Sequence, residues 1–138
     1  MRYFIIILSA LLFSLAGNAQ SQHWGLYINK AKRLSATVDS VQEYQLSKAE
    51  KGIIKFNFPE RDKAFKRTVI IMTEQRNEVL QKDMKTSCKT ASFRLDTLLA
   101  KTGGNPFVIY IRDIPSDPQK AMLVRMAPVA ICNVMWKE

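Results

Sequence analysis

Two runs, Thr68–Thr73 (TVIIMT) and Phe107–Arg112 (FVIYIR), constrain the fold of this 138-residue chain more than any other feature. Both are dense in β-branched and aromatic residues. The first is apolar at consecutive positions, so both of its faces need cover. A short apolar run bounded by turn formers reads as a central strand. Shorter runs around them alternate with period two. Ile54, Phe56 and Phe58 share one face of a strand that Pro59 ends. Glu74-Gln75-Arg76-Asn77 reads as a hairpin connection into Glu78–Met84. Phe93, Leu95 and Thr97 alternate with Arg94 and Asp96, the pattern of a half-exposed strand.

Gly103-Gly104-Asn105-Pro106 is a turn, and Pro115-Ser116-Asp117-Pro118 ends the second central strand. Met122–Met126 and Val129–Trp136 close the chain as strands split at Pro128. Six or seven short strands without helical stretches between them predict an all-β, immunoglobulin-like antiparallel sandwich. Trp24–Tyr44 is the ambiguous stretch. Trp24, Ile28, Ala31, Leu34, Val38 and Val41 follow helical spacing, whereas Ser35–Val41 is rich in Thr, Val and Ser. The expectation is a helical or irregular lead-in over 20–40, a first strand near Val41–Ser47, and a sandwich domain over 41–138.

The order TVIIMTEQRNEVL, SFRLDTLL, GGNPFVIYI resembles the strand–hairpin–strand grammar of small immunoglobulin-like domains in bacterial secreted proteins. It is similar to the C-terminal sorting domains of type IX secretion cargo, which share a polar-Asn hairpin turn, an LxxL strand and a Gly-x-Tyr strand. The resemblance covers Thr68–Ile111 and implies a sandwich. It departs where no cargo domain precedes and a long segment with Cys132 follows, so it carries over neither a sorting role nor any functional residue.

The compartment is read from the amino terminus. Arg2, the apolar stretch Phe4–Leu15 and the small residues of Gly17-Asn18-Ala19 form a secretory leader over 1–19. The apolar stretch is too short to cross a bilayer, which takes about 20 residues. Cleavage after Ala19 leaves no transmembrane span, and no cysteine follows for lipid attachment. The expected location is the periplasm or the cell exterior of a bacterium. In such a space Cys88 and Cys132 are expected to form a disulfide. Closing a loop of about 45 residues would stabilise the fold by roughly 4 kcal/mol. Two distant thiols and one histidine lack zinc-site spacing, and there is no Cys-x-x-Cys.

The leader holds Arg2 alone, so nearly all of the +9 formal charge belongs to the mature chain. Export disfavours nucleic acid as the partner and leaves a solvated basic surface or an anionic polysaccharide. His23, the sole histidine, sits next to the expected cleavage point and reads as an exposed terminal residue rather than a base. The carboxylates occupy turn-like positions, and Asp113 and Asp117 read as turn caps ahead of a calcium loop. The methionines form no copper-binding cluster and read as core filler. No cofactor or metal is expected. Trp24, Tyr27, Lys30, Lys32 and Arg33 are the candidate surface contacts, with Tyr110 and Trp136 assigned to the core. The leading expectation is a non-enzymatic envelope protein that contacts another envelope protein or a cell-surface component by strand addition at a sheet edge. The alternatives are a binder of anionic polysaccharide or a small ligand through basic and aromatic side chains, and a hydrolase with an unrecognised site.

Overall fold

The computed structural model describes residues 22–59, 64–85, 88–123 and 127–138. The leader over 1–19 lies outside the described residues. The described residues form nine strands and two short helices: β1 (His23–Ile28), β2 (Ala31–Thr37), β3 (Gln42–Ser47), β4 (Ile53–Asn57), β5 (Phe65–Thr73), β6 (Glu78–Asp83), β7 (Thr90–Arg94), α1 (Leu95–Thr102), β8 (Phe107–Pro115), α2 (Pro118–Leu123) and β9 (Val129–Lys137). One sheet has the order β2-β1-β4-β7, the other β3-β9-β8-β5-β6. They face each other as a β-sandwich, the all-β class expected.

The core lies between the sheets. Trp24, Leu26 and Ile28 of β1 and Ile54 and Phe56 of β4, with Phe58 just beyond it, meet Val69 and Ile71 of β5 and Phe107, Ile109 and Ile111 of β8. The alternation of Ile54, Phe56 and Phe58 is therefore an inward face. Ile70, on the other face of β5, is fully buried too, so TVIIMT is covered on both sides. At one end of the sandwich Arg67, whose side chain is only 4% exposed, forms a two-bonded ion pair with Asp113 at 2.7 Å. Its Nη2 also donates to Gln22 Oε1, and its guanidinium lies 4.8 Å above the Phe58 ring.

Several expectations need correction. Residues 22–40 are no helical lead-in: β1 and β2 are a hairpin, and β1 is an inner strand of its sheet. The period that mattered was Trp24-Leu26-Ile28, and the helical spacing of the neighbouring apolar residues was coincidental. The expected strand through Thr97 stops at Arg94. Leu95, Leu98 and Thr102 then turn inward at helical spacing as α1, which Gly103 ends at φ 63°. Met122 and Leu123 belong to α2 rather than a strand, while 124–126 lie outside the described residues. The described residues form nine strands rather than six or seven, and β3 runs parallel to β9, so the second sheet is mixed.

The cysteines are not bridged. Cys132 is fully buried in β9, opposite Ile109 of β8, and Cys88 lies in the connection from β6 to β7. Strands β8 and β5 separate β9 from β6, a distance of roughly 14 Å at the usual strand spacing. A disulfide needs Cα atoms within about 7 Å. Burial pushes the Cys132 thiol up to about 12, with the Glu43 carboxylate adding to the effect.

Candidate ligand-binding face

Four local events build the solvent face of the first sheet. Asn29 and Lys30 join β1 to β2 as a two-residue turn with both residues at positive φ, 49° and 74°. That is the backbone of the turn whose twist matches a hairpin. Asn29 tolerates this region; Lys30 does so under strain. The Asn29 side chain then holds the next loop. Its Nδ2 donates to Lys51 O (2.6 Å) and its Oδ1 accepts from Ile53 N (3.0 Å). These bonds position β4.

Because inward residues alternate with outward ones, the outward set lines up across the strands. Lys32 of β2 pairs with Tyr27 of β1, Tyr27 with Lys55 of β4, and Lys55 with Ser92 of β7. The result is an unbroken row across all four strands. The Ser92 carbonyl at its end accepts from Lys82 Nζ of β6 at 3.0 Å. A Cβ on Gly25 would sit 3.1 Å from Tyr27 Cε2, so the missing side chain is what lets the ring lie against the sheet. Lys55 Nζ stands 5.3 Å from the ring centroid, a cation–π distance. Next to Lys55 is a shallow depression of about 350 Å³ lined by Asn29, Lys30, Ile53, Lys55 and Ser92. Ile53 forms an apolar floor at 49% exposure.

A larger groove of about 600 Å³ lies on the outside of the second sheet, lined in part by Glu43, Gln45, Glu74, Val108, Asn133 and Met135. Glu43 and Glu74 bring two carboxylates to it.

The structure divides the expected contact residues. Tyr27, Lys30 and Lys32 come together on the face. Trp24 does not: it is 1% exposed, and its indole packs against Phe56 with centroids 6.4 Å apart. Its place in the alternation sends it inward. Arg33 turns aside to pair with Glu50 at 3.0 Å. It also lies near Tyr44, whose hydroxyl is raised by burial while the Arg33 charge works against the rise. Sequence reasoning missed Lys55, Ile53, Asn29 and Ser92. A signal for the first two existed, since an inward Ile54-Phe56-Phe58 set forces Ile53 and Lys55 outward.

His23 stands opposite Thr37 at the end of the first hairpin. Asp113 is committed to Arg67, and Asp117 accepts from Gln119 N at 3.0 Å, the turn-capping role expected of it. Among the described residues no group of three or more His, Cys, Asp or Glu is placed to hold a metal ion. No helix among them is long and apolar enough to cross a membrane.

No family model matches the chain, and no curated protein matches it. Among solved structures, CopC from Methylosinus trichosporium OB3b is similar with a TM-score of 0.40 and 14% identity, covering 72% of this chain and 89% of that one. At that level of likeness no ligand and no location passes from one protein to the other.

Proposed function

We propose that this is an exported, non-enzymatic binding module whose contact surface is the open face of the β2-β1-β4-β7 sheet. Export rests on the leader over 1–19. The observation that carries the rest is the row Lys32–Tyr27–Lys55–Ser92, continuous across four strands and flanked by Lys30 and exposed Ile53.

Strand addition, the mode expected from the fold class, has less support. An added strand needs an open row of backbone groups. Strand β2 is paired through a bulge at Leu26/Tyr27, and β6 through one at Ile71/Met72. The Lys82 ammonium caps a carbonyl of β7. Bulges and lysines of this kind blunt three of the four sheet edges. The face remains available.

Cosedimentation of the leader-free protein with envelope preparations from the producing bacterium tests the reading. Lys32→Glu/Lys55→Glu is expected to abolish pelleting, and raised salt to weaken it through screening. Gln45→Pro on the β3 edge is expected to leave pelleting intact. The reverse pattern would overturn the face in favour of the edge.

A further inference from the structure

We propose that the ligand of this face is an acidic polysaccharide, whose sugar ring lies on Tyr27 while its carboxylates sit between the flanking lysines. The inference rests on the proposed binding role of the same face and adds the chemistry of the partner.

Three features select that chemistry. Tyr27 lies on the outward face over Gly25 with the Lys55 ammonium 5.3 Å from its ring centroid, and the exposed Ile53 stands two residues from Lys55 on the same strand face. Flat apolar surface of this kind suits the C–H face of a pyranose and does nothing for a plain polyanion. Lys32 and Lys55 lie on either side of Tyr27, two strand spacings or roughly 10 Å apart. Lys30 adds a third ammonium at the rim. An extended chain carrying one charge per sugar or two meets all three along its length. The Ser92 side chain at the rim supplies a hydroxyl for hydrogen bonding.

The turn places one of these charges. Position 30 holds a lysine at φ 74°, where glycine would sit without strain. Non-glycine residues in that region concentrate at functional sites. Lys30 places an ammonium at the edge of the depression that glycine would not.

The test uses leader-free protein and defined polymers: polygalacturonate as the acidic glycan, dextran as the neutral one, and polyglutamate as an anion without sugar rings. Polygalacturonate is expected to bind most tightly, polyglutamate more weakly and dextran not measurably. Tyr27→Leu is expected to weaken polygalacturonate binding about tenfold and leave polyglutamate unchanged, while Tyr27→Phe keeps most of the affinity. Lys30→Gly should bind several-fold more weakly and melt at a higher temperature, a pair of effects that a merely structural lysine would not give. Should Tyr27→Leu fail to fold, amine footprinting of the wild-type protein reads the same contact: polygalacturonate is expected to protect Lys30, Lys32 and Lys55 from acylation and to leave Lys101 and Lys120 exposed. Equal affinity for polyglutamate and polygalacturonate, or protection of other lysines, would overturn the proposal. Loss of envelope pelleting in Lys32→Glu/Lys55→Glu without any polygalacturonate binding would sink the glycan assignment and leave the binding face standing.

Discussion

Gly52→Ala attacks the floor of the depression through one neighbour. Gly52 sits at φ 108°, and a Cβ there would overlap Asn29 Oδ1 and lie 2.7 Å from its Cγ. Asn29 must swing away, breaking its bonds to Lys51 O and Ile53 N. Each bond contributes about 1 kcal/mol. Holding alanine at that positive φ adds about 2 kcal/mol. The loss of about 4 kcal/mol corresponds to a fall of roughly 16 °C in melting temperature for a domain of this size. Urea and thermal unfolding followed by circular dichroism would measure it. Asn29→Gly tolerates the turn and removes the same two bonds, at a cost of about 2 kcal/mol. In that background Gly52→Ala should cost only the backbone strain. If the two changes instead add to within about 0.5 kcal/mol, Asn29 is not what resists the new Cβ, and the reasoning is refuted.

Other outcomes follow from buried groups. Asp113→Ala leaves the Arg67 charge buried without its partner and should cost about 3–5 kcal/mol by urea titration, whereas Arg67→Met/Asp113→Val should lose less than the single change. A thiol reagent at neutral pH should label Cys88 well before Cys132, and both should react with it in denaturant, where a disulfide would leave neither reactive. The Cys132 thiol keeps its proton in the fold to about pH 12 but loses it near 9 when unfolded. Its stabilising effect is therefore complete below pH 9 and falls away as pH rises toward 12, a decline that Cys132→Ala should reduce. Trp24→Ala should destabilise by about 3–5 kcal/mol. Trp24 in the wild-type protein should resist quenching by acrylamide, as a core residue must.

The candidate site was half legible. Tyr27, Lys30 and Lys32 were marked by their aromatic and basic types near one another in the chain. Trp24 carried the same signal and proved to be core, because strand parity decides which side a residue takes and the parity was misread as helical. Cys88 and Cys132 fit the counting rule for a disulfide, yet counting carries no distance. Leu95 obeyed the alternation of the strand before it and also the spacing of the helix after it, and only packing separated the two readings.

By itself the sequence determined what is local: TVIIMT as a strand covered on both faces, FVIYIR as a central strand, Ile54-Phe56-Phe58 as an inward face and Pro59 as a stop. Covalent geometry imposes those periods within a few residues. The tertiary structure alone decided which strands are neighbours. It brought Lys32, Tyr27, Lys55 and Ser92 from four separate segments into one row, set β3 parallel to β9, and kept the two thiols apart. Pairing and register are chosen by burial of the whole inward set at once, so no single segment carries that information.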